Sequence, residues 1–405
     1  MDVQALAQNI ESYTQERITR YIEELRELCA IDSGSYHKPG LDRMAFYLEA
    51  RMRGLGMKTT LFEHEQWGND LLGIVKGSGE GNVLLLGHMD TVYPVGIAEA
   101  RPLSVDGNVV KGPGVSDMKG CVLSAIYAIE ALLSLDCRSF GEIRFLCISD
   151  EEILQRHSVE LIREACEGCQ QALVLEAARA NGAIVSARKG ISGYVLVAQG
   201  RSAHAGVEPE KGRNAIVELA HQTLQLQSLH GWREGVTINP GRVQGGTALN
   251  VVPDYAEAQI DMRFVHEQDR VATEQRWHEM LRHTRVPDVE ITLKSLPDAR
   301  EPMVCTPQSL QLVQRAQSLS GLLGFSIEHV LTGGSSDASY TSSYGIPTLD
   351  GLGPIGGLDH SPDEYLLADS VAPRTALLGS LIATVDVSDS VVSQEQTEMP
   401  EMQIA

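Results

Sequence analysis

The chain has 405 residues, 43% of them hydrophobic and 21% charged, enough to bury a core in two or three domains. Its formal net charge of -21 argues against nucleic acid as a partner. No apolar run approaches the roughly 20 residues that span a bilayer. The opening Met1-Asp2-Val3-Gln4-Ala5-Leu6 also lacks a basic segment followed by an apolar one, so no signal peptide and a cytoplasmic location are expected. Seven cysteines, an odd number without regular spacing, make no disulfide framework. Cys166-Glu167-Gly168-Cys169 has no second CxxC and reads as two reduced thiols near a helix end.

In chain order, residues 1–55 carry apolar positions at helical spacing, and the glycines at 54, 56 and 77–81 mark turns. Val83-Leu84-Leu85-Leu86, Ile143-Arg144-Phe145-Leu146-Cys147-Ile148 and Ala172-Leu173-Val174-Leu175 read as buried parallel strands. Cys121 to Ile129 reads as a buried helix. Strands alternating with helices to about residue 180 predict an α/β unit with a mostly parallel, mixed sheet flanked by helices. The pattern then changes to strands at 191–197, 256–264 and 289–293 and helices at 214–229 and 267–283. That rhythm predicts an inserted α+β, ferredoxin-like domain over 188–301. The α/β pattern resumes with a helix at 307–323, a glycine-rich loop at 333–336, a strand near Thr348 and a helix at 370–385. The catalytic domain is therefore expected to be discontinuous, 1–187 and 302–385. The polar stretch 386–405 is expected to be a disordered tail.

Each buried strand is followed by groups that bind metal or move protons. Gly87-His88-Met89-Asp90 follows the first, Asp150-Glu151-Glu152 the second and Glu176 the third. Ligands of open α/β sheets sit at the carboxyl ends of strands, so one sheet edge gathers these side chains. Asp117, in Gly112-Pro113-Gly114-Val115-Ser116-Asp117-Met118-Lys119-Gly120, and His360, in Leu358-Asp359-His360-Ser361, complete an inventory suited to a two-metal hydrolytic site. Taken singly, Asp117 reads equally as a helix N-cap, and Glu151-Glu152 as a solvated acidic loop. On a regular strand, adjacent carboxylates face opposite sides, which gives one to a metal and the other to water. Asp90 is the candidate orienter of the His88 imidazole.

Together with Ser202-Ala203-His204-Ala205-Gly206 and His360-Ser361-Pro362-Asp363-Glu364, these motifs resemble the dinuclear zinc aminoacylase/carboxypeptidase family, over residues 87 to 364. Met89-Asp90-Thr91-Val92-Tyr93 is similar to the bacterial glutamate carboxypeptidases of that family. The resemblance implies two Zn2+ per chain, with Co2+ or Mn2+ as alternatives. His88 and Glu176 would be terminal ligands of one ion, Glu152 and His360 of the other, and Asp117 would bridge them. It also implies Glu151 as general base, a cis peptide after Asp117, and an inserted domain that serves as lid and dimerises the chain. His204 would stabilise the oxyanion in the partner's site, although its glycine neighbours also suit a plain turn. Arg263, Asn250 and the backbone of Gly334 and Ser335 would hold the substrate carboxylate. A polar exposed edge at Ile191–Val197 would count against dimerisation.

The implied activity is removal of a C-terminal amino acid, glutamate foremost, from a small peptide or N-acyl amino acid. Arg179, Arg188, Lys189 and Arg300 are candidates for a second carboxylate of the leaving group. The alternatives are an N-acyl-amino-acid deacylase, a di- or tripeptidase, and more remotely a non-catalytic binding member. One departure stands out. The family carries a glycine soon after the paired glutamates, whereas Ile153-Leu154-Gln155-Arg156-His157 follows here. The loop is therefore expected to take another path, with His157 at the surface.

Overall fold

In the computed structural model, which describes residues 2–297 and 299–386, the chain divides into two units. One comprises Met1–Ala187, Cys305–Leu331 and Ser336–Ala405, and the other Arg188–Val304 with Thr332–Ser335. Of the expected tail, residues 387–405 lie outside the described residues. Asp386 is described, and its carboxylate accepts a hydrogen bond from the Glu80 N–H at 2.6 Å. No helix among the described residues is long and apolar enough to cross a membrane.

The first unit is built on a six-stranded mixed sheet. Its order is Lys58–Phe62, Asp70–Lys76, Glu142–Ile148, Val83–His88, Gln171–Val174 and Thr348–Leu349. The first two pairings are antiparallel and the other three parallel. Val83 to Leu86 are fully buried, as a strand paired on both edges and covered on both faces requires. Helices Lys119–Ser134, Ala368–Ala383 and Val3–Gln15 pack on one another and carry much of the core. The register sets the site. His88 pairs with Ile148 and Leu86 with Val174, so the residues just past all three strands emerge at one level. Gly87 allows this packing, since a Cβ there would lie 3.1 Å from Val122 Cγ2 and 3.2 Å from Met118 Cε.

The second unit runs strand, helix, strand, strand, helix, strand: Gly190–Gln199, Ala215–Gln227, Thr237–Gly245, Tyr255–Phe264, Glu267–Met280 and Glu290–Ser295. Its four strands are antiparallel throughout, with Thr237–Gly245 and Glu290–Ser295 at the edges. This is the ferredoxin-like α+β arrangement. Gly190–Gln199 alternates buried and half-buried residues, the signature of one covered face, and Trp277 packs edge-on against Tyr194 with centroids 5.0 Å apart. Residues 191–197 therefore form an interior strand. The exposed edges are Thr237–Gly245 and Glu290–Ser295, and in the first a bulge follows Pro240, a residue sheets tolerate at edges.

Candidate metal centre

The Asp117 carboxylate lies between two imidazoles. Its Oδ1 is 3.0 Å from His88 Nε2, and its Oδ2 is 3.1 Å from His360 Nε2. Glu176 Oε1 is 3.8 Å from His88 Nε2, and Glu152 Oε2 is 3.3 Å from His360 Nε2. The result is two overlapping triads, His88–Asp117–Glu176 and Asp117–Glu152–His360, each with ligand atoms within 4.8 Å of one another. Tetrahedral zinc, with bonds of about 2.0 Å, sets its ligand atoms about 3.3 Å apart. The donor set therefore fits two ions sharing one carboxylate.

The electrostatics point the same way. Burial, with the charges of Asp117 and Glu151, lifts Glu152 to about 7 despite its hydrogen bond to His360. Burial resists ionisation of Asp117, but hydrogen bonds from His360 and His88 outweigh it and hold the group well below the carboxylate range. Hydrogen bonds to Asp117 and Glu152 raise His360 to about 11. Burial opposes protonation of His88, yet Asp117 and Asp90 drive its pKa well up. Three carboxylates crowd two imidazoles and draw protons to places where cations would serve better.

Local structure explains each placement. The helix after Asp117 begins at Lys119 without a side-chain cap, so Asp117 is no N-cap. The peptide Asp117–Met118 is cis and Gly114 is left-handed at φ 78°. Glu151–Ile153 forms a 3-10 turn rather than a strand, so turn geometry, not strand alternation, separates Glu151 from Glu152. Asp90 holds this turn: its carboxylate accepts from the N–H of Glu151 at 3.2 Å, the N–H of Glu152 at 3.1 Å and Ser35 Oγ at 2.7 Å. The His88 Nδ1 contact is closer to the Asp90 carbonyl, at 3.0 Å, than to its carboxylate, at 3.4 Å. Where a glycine was expected, Leu154 and Gln155 take left-handed backbone at φ 64° and 42°, a conformation costing an L-residue roughly 1–2 kcal/mol. His157, expected at the surface, is 11% exposed in its side chain and packs on His64.

Sequence reasoning gave no role to Glu364. It is buried and accepts from the N–H groups of Gly114 (2.9 Å), Ser116 (2.9 Å) and Asp117 (3.0 Å) and from the Tyr93 hydroxyl (2.7 Å). It thereby ties the Asp117 loop to the His360 segment. The signal was a glutamate four residues after His360, within a motif already noted. Cys166 and Cys169 are buried free thiols pushed up by burial to about 12 and about 11, which makes them poor nucleophiles.

In the second unit, the carboxylate-binding candidates fall into two groups. His204 and Val251 pair in a short ribbon, and the Asn250 carbonyl accepts from the Ala205 N–H at 3.0 Å. His204 is exposed. Its Nδ1 accepts from Gly206 N (3.1 Å) and Val207 N (3.2 Å), so Nε2 carries the proton and is a donor. Elsewhere, Arg263 pairs through Nε with Asp261 at 3.0 Å and reaches the Gly333 carbonyl at 3.4 Å. Arg188 Nη1 donates to the Gly334 carbonyl at 3.0 Å. Lys189 is buried there, its pKa lowered by burial and by the charge of Arg263. Ser335 Oγ is buried without a hydrogen-bond partner among the described residues.

Comparison with known proteins agrees with this architecture. The family described as "Peptidase dimerisation domain" matches residues 186–289. Carboxypeptidase G2 of Pseudomonas sp. (strain RS-16) is 28% identical over 360 residues, covering 87% of this chain and 86% of that protein. Succinyl-diaminopimelate desuccinylase of Stutzerimonas stutzeri is 28% identical over 314 residues, covering 72% and 80%. The crystal structure of aminopeptidase PepT from Bacillus cereus superposes with a TM-score of 0.76 at 22% identity, covering 91% of this chain and 99% of that one. The chain carries an M20-type peptidase dimerisation domain and is homologous to carboxypeptidase G2 and other metal-dependent amide hydrolases.

Proposed function

We propose that this enzyme is a homodimeric, zinc-dependent carboxypeptidase that releases a C-terminal acidic amino acid, glutamate foremost, from a small peptide or N-acyl amino acid. The observation that carries the reading is the Asp117 carboxylate shared between His88 and His360. His88, Glu176, Glu152 and His360 would hold two zinc ions with Asp117 between them. When bound, such ions polarise the scissile carbonyl and acidify the attacking water. Glu151 takes that water's proton and delivers it to the leaving nitrogen. Asp90 fixes the Glu151 backbone, and the His204 Nε2–H stabilises the developing oxyanion, supplied in trans by the partner protomer.

The preference for an acidic leaving group is supported by Arg263, Arg188 and Lys189, which meet around the Gly333–Gly334 loop. Three cations suit two carboxylates better than one. Of the four cations weighed from sequence, Arg188 and Lys189 neighbour Arg263, whereas Arg179 belongs to the first unit and sits near Asp359. In the first unit, a cavity of about 530 Å³ beside Glu152 is lined by Tyr36, His37, Val92, Tyr93 and Val95 among others, and among the described residues by no lysine or arginine. That lining favours an uncharged acyl group over a succinyl group, whose carboxylate would want a cation. The homodimer is supported by an apolar stripe on the Ala215–Gln227 helix, where Val217 is 51% and Leu224 72% exposed. All seven cysteines are free, as in a reducing cytoplasm.

Release of free amino acid should be measured from a panel of N-acyl and dipeptide substrates, with zinc and with chelator. Chelator-sensitive release of glutamate from aroyl- or peptidyl-glutamate is the expected result. Faster release from acetylated neutral amino acids would replace this reading with an aminoacylase.

A further inference from the structure

A second set of ligating side chains lies in the first unit, outside the Asp117 cluster. His64 follows the Lys58–Phe62 strand, and Asp70 opens the neighbouring strand, its backbone paired with Phe62. His157 comes from the loop after Glu142–Ile148, the strand on the other side, where Leu71 pairs with Cys147. The sheet thus brings three distant segments to one point. Asp70 Oδ2 is 2.9 Å from His64 Nε2 and 3.2 Å from His157 Nε2, and the three ligand atoms lie within 4.8 Å of one another.

The surrounding bonds prepare these atoms for a cation. Asp70 Oδ1 accepts from the Ser149 N–H at 2.9 Å and the Ser149 hydroxyl at 3.0 Å and lies 3.4 Å from His157 Nε2, so Oδ2 is the nearer oxygen to that imidazole. The Ser149 hydroxyl also lies 3.3 Å from His157 Nε2. His157 Nδ1 lies 3.1 Å from Asp150 Oδ2 without the alignment of a hydrogen bond, so a carboxylate stands on the far side of the ring from Asp70. Separations of 2.9 and 3.2 Å are close to the roughly 3.3 Å between ligands of tetrahedral zinc. Asp70 is fully buried, and a buried carboxylate calls for a positive partner.

We propose that His64, Asp70 and His157 form a third divalent-metal site, with two imidazole nitrogens and one carboxylate oxygen as ligands and a fourth position for water. An ion there bolts the loop Ser149–Ser158, which carries Glu151 and Glu152, to the neighbouring hairpin. His157 has a further hold on that loop, its N–H donating to Asp150 Oδ2 at 2.8 Å. The ion thus does the fixing that a loop with left-handed Leu154 and Gln155 needs. Its role is structural, since none of its ligands belongs to the Asp117 cluster.

The test is zinc content per chain after equilibration with zinc and gel filtration, for the full-length protein and for His64→Gln, a replacement at a partly exposed position. Three zincs in the parent and two in the variant are expected. Equal content in both overturns the proposal and leaves a proton-bridged histidine–aspartate cluster in its place. Should the variant not fold, anomalous diffraction at the zinc edge from the parent decides. A peak between the two Nε2 atoms supports the site, and peaks at the Asp117 cluster alone refute it.

Discussion

The Asp117 cluster and the His204–Asn250 ribbon both carry proposed catalytic or binding groups, but they are held in different ways. Around Asp117, each ligand rises from the end of a buried strand or from a loop tied down by a buried carboxylate, Asp90 on one side and Glu364 on the other. In the ribbon, His204 is exposed and its ring accepts from two backbone N–H groups nearby in sequence. The first arrangement is preorganised within one chain, the condition for strong electrostatic effects. The second presents a donor that acts on whatever comes to meet it. Lesions in the first should therefore spread through shared bonds, and lesions in the second should stay local.

The largest effect is expected from Glu151→Gln, which should lower turnover by about 10²–10⁴-fold while both catalytic metals stay bound. Metal analysis beside steady-state kinetics checks this, and retained turnover would remove Glu151 as the base. His204→Ala should cost about 10²–10³-fold in kcat with metal content and thermal stability unchanged. A heterodimer of this variant with Glu151→Gln should regain part of the activity, and no regain would place all catalytic groups in one chain. The smallest effect should come from Glu364→Gln, which sets an amide N–H₂ against donors at Gly114, Ser116, Asp117 and Tyr93. A loss of about 1–3 kcal/mol in stability, with weaker metal retention, is expected from denaturant unfolding and metal titration. An unchanged protein would show that the Asp117 loop stands without this clasp.

The sequence by itself determined the fold class and the sheet edge where acidic and histidine side chains collect. Both follow from local pattern: buried apolar runs make parallel strands, and the residues that follow must emerge at their carboxyl ends. His88 and Glu176 are placed by that rule alone. Tertiary structure decided what depends on contacts between distant segments. It split the Asp117 carboxylate between two imidazoles, turned Asp90 toward the Glu151–Glu152 turn, and brought Glu364 onto the Asp117 loop. It also put residues 191–197 inside the second sheet and gathered His64 and His157 around Asp70. Sequence periodicity reports which face of an element is covered. It carries no record of which donor, two hundred residues away, will find a buried acceptor.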